Sequence, residues 1–227
     1  MSQPERQPQT KRIAVVLSGC GFQDGAEITE SVSTLIALGQ MGATYNCFAP
    51  KVDFQAKNHL SGDPESQTRN TLTESARICR GEIKDIESLD VADFDAVVFP
   101  GGFGAALHLS DWAQKGSGCT VHPKVVQVVN AFHQASKPIG VMCIAPTLVA
   151  KILGKEHEVT VTIGNDGETA QEIEKTGAHH ETCDVDDYIT DRENKVVSTP
   201  AYMYGEAAPS QVFKGIQGLV KELVEMS

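Results

Sequence analysis

Lys137-Pro-Ile-Gly-Val-Met-Cys-Ile-Ala-Pro146 is a short apolar run that ends in a cysteine and passes at once into a helical pattern. A strand-to-helix elbow of this kind holds a nucleophile at the carboxyl edge of a sheet, open to whatever binds there. Residues 139–142 read as a buried strand. Pro146 suits the first position of a helix, where a missing N–H costs nothing, and residues 147–153 continue that helix. Cys143 stands at the joint, with the positive end of a helix dipole behind it favouring thiolate over thiol. The same residues also spell a small buried cysteine packing as a hydrophobe, which is what most free cysteines are. The elbow is looser than Gly-x-Ser-x-Gly, and the run alone leaves both readings open.

Pro100-Gly-Gly-Phe-Gly-Ala105 is a second candidate, a glycine-rich loop that leaves one strand and opens toward a helix. Glycines let the backbone turn its N–H groups toward an anion. The register of a dinucleotide fingerprint is absent, so what the loop offers is an oxyanion hole near Gly101 and Gly102. Taken alone, it reads first as a tight turn whose glycines only satisfy backbone geometry. Glu27 and Glu30 lie early in the next candidate element, a helix whose apolar face is marked by Ile28, Val32, Leu35 and Ile36. Helical spacing puts Glu30 nearly opposite Ile28, so periodicity makes it an ordinary surface acid. Seven histidines are available as a base for Cys143. Among them His108, just past the glycine loop, is the one whose loop belongs at the same edge, while His133 in an apolar-faced helix is the least suited.

The elements that must position these residues alternate along the chain. Strands are predicted at residues 13–17, 44–49, 96–99, 139–142 and 160–163, with a strand pair around Tyr188 and Val196-Val197. Helices are predicted at residues 26–41, 70–80, 125–136, 147–153, 168–176 and 211–224. Such alternation implies a parallel sheet wound on both faces, which binds ligands at the carboxyl ends of its strands. The loops at residues 18–25, 100–105 and 143–146 all fall at that edge. Residues 53–69 are long, polar and aperiodic, and read as an excursion or hairpin that could cover the site.

The bulk composition narrows the class. At 227 residues, with a polar stretch at residues 1–10 read as a disordered tail, residues 11–227 suit one domain. Hydrophobic residues make up 41% and no apolar run is long enough to span a bilayer, which argues against membrane insertion. A net charge of −11 argues against a nucleic-acid partner, since phosphate binding needs a surplus of Lys and Arg on some face. The six cysteines lack the spacing of a zinc site and read as reduced and unpaired, so no metal is expected. No secretory signal is visible. A cytoplasmic location is the expectation, although a mature organelle protein without its transit peptide would look the same.

Ser18-Gly-Cys-Gly21, Gly25-Ala-Glu-Ile-Thr-Glu30, Pro100-Gly-Gly-Phe-Gly-Ala-Ala106, Gly140-Val-Met-Cys-Ile-Ala-Pro146 and Val197-Ser-Thr-Pro-Ala-Tyr-Met203 together resemble the enhancing lycopene biosynthesis protein family. This is a branch of the class I glutamine amidotransferase-like superfamily, which includes PfpI-type proteins. The match runs from about Lys11 onward. The resemblance implies a flavodoxin-like three-layer α/β sandwich with a mostly parallel sheet. It matches Cys143 to the superfamily's elbow cysteine, Gly101 and Gly102 to its oxyanion-hole loop, and makes Ile144 a further oxyanion or substrate-binding position. It also turns Glu30 into a catalytic candidate, because the aligned glutamate approaches the cysteine and tunes its protonation.

The activity implied by the resemblance is a glyoxalase or deglycase, converting a small-molecule dicarbonyl to a hydroxy acid without cofactor. Members with a Cys–His pair carry the histidine soon after the next strand, and residues 159–166 contain none. Glutamine hydrolysis and proteolysis, which rely on that histidine, are therefore disfavoured. His108 is the candidate base that remains. The alternative reading is a non-catalytic cysteine redox sensor or small-metabolite-binding protein. Superfamily members often dimerise, which allows a homodimer, while no coiled coil or obvious apolar stripe demands one.

Overall fold

The computed structural model describes residues 10–227; residues 1–9, most of the expected tail, lie outside the described residues. Seven strands form the central sheet. They are β1 (Arg12–Val16), β2 (Thr44–Ala49), β5 (Ile83–Asp85), β6 (Ala96–Phe99), β7 (Ile139–Met142), β10 (Ile189–Asp191) and β11 (Val196–Thr199), ordered β10-β11-β7-β6-β1-β2-β5. All neighbours run parallel except β10 and β11. Because both faces are covered, the central strands are apolar throughout instead of alternating with polar residues. Ala14, Val16, Val97, Phe99, Ile139 and Val141 enter one core. Ile13, Val15, Ala96, Val98 and Met142 enter the other.

Helices α5 (Pro123–Gln134) and α6 (Pro146–His157) cover the first face, and α1 (Ile28–Gln40) and α8 (Pro209–Met226) the second. The result is the flavodoxin-like three-layer α/β sandwich with a mostly parallel sheet. β1 connects to β2 on one side and borders β6 on the other, so the crevice between β1 and β6 opens at the carboxyl edge of the sheet.

Helix α1 sits the other way round from the sequence expectation. Ile28, Val32 and Ile36 are exposed, at 49%, 39% and 49%, whereas Glu30, Ser31, Ser33, Thr34, Ala37 and Leu38 are buried. Small residues on the inner face suit close packing against α8. Two of the hydroxyls that enter the core are satisfied within the helix, Ser31 Oγ donating to the Glu27 carbonyl at 2.6 Å and Thr34 Oγ1 to the Glu30 carbonyl at 2.8 Å. An exposed apolar stripe thus runs along α1, which the sequence did not flag.

Other departures are local. Residues 53–69 contain a hairpin, β3 (Asp53–Lys57) with β4 (Pro64–Asn70), as the excursion reading allowed. The helix expected over 70–80 is only α2 (Thr71–Ser75), because the chain then turns back to pair β5 with β2. The strand expected over 160–163 shortens to β8 (Thr160–Val161), which pairs with β9 (His179–His180) outside the main sheet. Two short helices, α3 (Phe103–Leu107) and α4 (Trp112–Lys115), lie between β6 and α5, and α7 (Gly167–Glu174) precedes β9.

Candidate active site

Cys143 follows β7 directly, with its N–H donating to the Thr199 carbonyl at 3.1 Å and so extending the β7–β11 ladder by one bond. Its φ is +58°, in the left-handed region that non-glycine residues rarely occupy. The Ala145 N–H closes the turn on the Met142 carbonyl at 3.0 Å, and Pro146 opens α6. The elbow expected from the sequence is therefore present. Ala201, at φ +45°, is a second strained residue, in the turn after β11. Strain of this kind persists only where the surroundings enforce it, and here two instances meet around one buried acid.

That acid is Glu30, fully buried at the start of α1. Its Oε2 accepts from the Gly101 N–H at 2.9 Å and its Oε1 from the Tyr202 N–H at 3.1 Å, so the β6 loop and the strained turn after β11 both clamp it. Burial raises its pKa to about 8, the nearby Glu27 carboxylate adds to the rise, and the two N–H donors and the Cys143 thiol oppose it. The thiol pKa is raised well above 9.0, first by burial and then by the charge of Glu30, while the N–H groups of Gly102 and Ile144 pull it down. Cys143 and Glu30 thus lie side by side against Gly101, in a site that strongly resists a second negative charge.

The two glycines expected to act together are divided by this geometry. Gly101 spends its N–H on Glu30 and its carbonyl on the Glu27 N–H at 3.0 Å, so it is a clamp for the acid and has no donor to offer an oxyanion. The N–H groups of Gly102 and Ile144 instead act on the Cys143 thiol, each lowering its pKa. A side chain at Gly101 has no room, since a Cβ there would lie 2.4 Å from the Cys143 Cβ.

His108 is held by partners other than the thiol. Its Nε2 is hydrogen bonded to the Asp24 carbonyl at 2.9 Å, and its ring lies 4.6 Å from that of Phe54 on β3. The hairpin docks on the same loop, with Lys57 N–H on Asp24 Oδ2 at 2.7 Å and Gln23 Nε2 on the His59 carbonyl at 3.2 Å. It thereby covers His108 and the loop after β1. Burial lowers the His108 pKa, leaving the ring neutral and occupied. A His108→Asn variant is expected to keep Cys143-dependent turnover to within about threefold, far from the ~10²-fold loss that removing a general base brings. Initial rates beside the parent chain check this.

Glu27 and Tyr202 are site residues that the residue-level reading missed. Glu27 caps α1, accepting from the Glu30 N–H at 2.6 Å, and its own pKa is raised by burial. The acid-x-x-acid spacing at a helix start was the available signal, since such a pair caps a helix as readily as it decorates a surface. Tyr202 contributes only a backbone N–H, which no residue type announces.

No family model matches the chain. Among curated relatives, glutamine amidotransferase-like class 1 domain-containing protein 3, mitochondrial, of Homo sapiens is 44% identical over 95% of this chain and 83% of its own length. ES1 protein homolog, mitochondrial, of Rattus norvegicus is 42% identical over 95% and 84%. Among solved structures, the isoprenoid biosynthesis protein with amidotransferase-like domain from Ehrlichia chaffeensis superposes with a TM-score of 0.90 at 35% identity, covering 96% of this chain and 99% of that one. Drosophila melanogaster DJ-1beta shares the fold alone, with a TM-score of 0.57 at 15% identity over 95% and 91%. The cytoplasmic expectation is corrected by these comparisons: both curated relatives are named mitochondrial, and the location they point to is mitochondrial. On identity and coverage together, the chain belongs to the family of glutamine amidotransferase-like class 1 domain-containing protein 3 and the ES1 proteins, within the class I glutamine amidotransferase-like superfamily.

Proposed function

We propose that the chain is a cofactor-independent glyoxalase or deglycase-type enzyme that converts a small dicarbonyl to a hydroxy acid through Cys143. The observation that carries this reading is the placement of Glu30 beside Cys143, where a Cβ at Gly101 would lie 2.4 Å from the Cys143 Cβ and 2.8 Å from Glu30 Oε2, in a site whose candidate histidine is occupied elsewhere. An acid alone can serve here because no poor leaving group must be protonated. Cys143 sulfur attacks the aldehyde carbon while Glu30 takes the thiol proton, and the new oxyanion forms beside the Gly102 and Ile144 N–H groups and is protonated to a hemithioacetal. Glu30 then carries the aldehyde-derived proton to the neighbouring carbonyl carbon through an enediol, giving a hydroxyacyl thioester. Water cleaves that ester and returns the thiol. The substrate carbons exchange oxidation levels between themselves, so no external redox partner is needed. At 7% exposure, Cys143 suits a small electrophile and not a peptide.

The likeness to the Ehrlichia isoprenoid biosynthesis protein supports the finer proposal that this chain stands near the enhancing lycopene biosynthesis branch. A sensor role for Cys143 has less support, because sensor thiols are accessible and of low pKa, and this one is buried and raised. The test is consumption of glyoxal and methylglyoxal, followed as glycolate and lactate, in a buffer free of amines and added thiols. Cys143→Ser is expected to fall to background. Equal rates for the parent and the variant would sink the reading.

A further inference from the structure

Two cysteines that the site does not use share one cavity at the far edge of the sheet. Cys47 lies on β2 and is 2% exposed; Cys79 lies in the turn between α2 and β5 and is 8% exposed. Consecutive left-handed residues, Arg80 at φ +55° and Gly81 at φ +89°, fold that turn back on the strand. It is then pinned by Gly81 N–H on the Ala76 carbonyl at 2.8 Å, Glu82 N–H on the Cys79 carbonyl at 3.0 Å, and the pairing of Ile83 with Cys47 itself. Both cysteines line one cavity of about 610 Å³, together with Tyr45, Asn46, Arg80 and Lys84. The neighbouring Cys79 thiol and then burial push the Cys47 thiol up, while the Cys47 thiol lowers that of Cys79.

We propose that Cys47 and Cys79 form a redox-active dithiol, separate from Cys143, which a hydroperoxide converts to an intramolecular disulfide. Both residues form part of the wall of the cavity through which the oxidant enters, and Arg80 and Lys84 line it with cations beside the carboxylate of Glu82. Cys79 thiolate attacks the distal peroxide oxygen, the O–O bond breaks, and Cys79 becomes a sulfenic acid while hydroxide (from hydrogen peroxide) or alkoxide (from an organic hydroperoxide) leaves and is protonated. Cys47 then attacks the sulfenyl sulfur, the S–O bond breaks and water departs. Two thiols lose two electrons in all and the peroxide gains them. With both residues on one cavity of one chain, the second step is intramolecular, which protects the sulfenic acid from further oxidation.

The full chain is treated with a small molar excess of hydrogen peroxide, remaining thiols are trapped with N-ethylmaleimide, and cross-links are located by tandem mass spectrometry. The expected result is a Cys47–Cys79 link that forms about tenfold faster than oxidation of Cys119 or Cys183, both raised in pKa by burial. Cys143→Ser keeps the link. Cys47→Ser loses it and leaves Cys79 as a sulfenic acid captured by dimedone. If in the parent chain both residues stay alkylated while Cys20 or Cys143 oxidises, or if Cys79 links to Cys20 instead, the proposal is overturned. The parent and Cys143→Ser decide the matter even where Cys47→Ser folds poorly.

Discussion

Glu30→Gln is expected to lower Cys143-dependent turnover by about 10²-fold or more, the usual contribution of a positioned general base. The parent rate should climb with pH through about 8, because only ionised Glu30 can take the thiol proton and burial holds its pKa at that level. Glutamine has no proton to exchange, so this rise disappears in the variant. Stability moves in the opposite sense. Glu30 keeps its proton up to about 8 in the folded chain but ionises near its ordinary value of 4.5 when unfolded. Between those values the unfolded state binds fewer protons, so the parent loses stability as pH rises from about 4.5 to about 8. The melting temperature of Glu30→Gln relative to the parent should therefore improve across that window. A rate profile in the variant that still rises through pH 8 would assign the titration to another group and remove Glu30 from the base role.

The sequence and the structure agree most closely where burial on both faces leaves no choice of residue type. β6 and β7 fall where their apolar runs predict them, because a central strand of a covered parallel sheet has no polar side to confuse the pattern. The elbow was legible for the same reason: strand, cysteine, Ala-Pro and helix follow one another without a gap. Periodicity failed at α1, where Ser31 and Thr34 are buried with hydroxyls bonded to the helix's own carbonyls, and Ile28, Val32 and Ile36 are exposed. A hydrophobicity pattern cannot register that a hydroxyl is already satisfied. It misread Glu30 for the same reason, and the family resemblance alone carried that residue toward the site. β5 and β8 escaped or shifted because strands of three and two residues offer no period to count. Of the two glycines expected at the oxyanion hole, Gly101 turned out to hold Glu30, since which of two adjacent N–H groups meets a carboxylate depends on φ and ψ and not on composition.

The largest structural effect is expected at Gly102. This residue adopts φ 88° and ψ 159°, a conformation open essentially to glycine alone. A Cβ added there would lie 2.4 Å from both the Glu27 nitrogen and the Gly25 carbonyl oxygen, and 2.9 Å from the Ala26 carbonyl carbon. All three are backbone atoms of the segment that starts α1, so no side chain can swing away to make room. Gly102→Ala therefore combines backbone strain of ~1–3 kcal/mol with overpacking of similar size, together about 4 kcal/mol. For a chain of this size that corresponds to a fall in melting temperature of roughly 10 °C. Gly42→Ala supplies the comparison: its φ is +68° and a Cβ there meets nothing within 4 Å, so only the strain of a left-handed alanine remains, about 1 kcal/mol. At temperatures where both variants stay folded, Gly102→Ala should also lose turnover by about 10²-fold, because displacing this backbone withdraws one of the two N–H groups aimed at the reacting centre, whereas Gly42→Ala should match the parent. Thermal melts followed by circular dichroism, with rates taken below both transitions, separate the two effects. Equal melting temperatures for the two variants would mean that the loop after β6 does not press against the start of α1, and the clamp on Glu30 would lose its geometric basis.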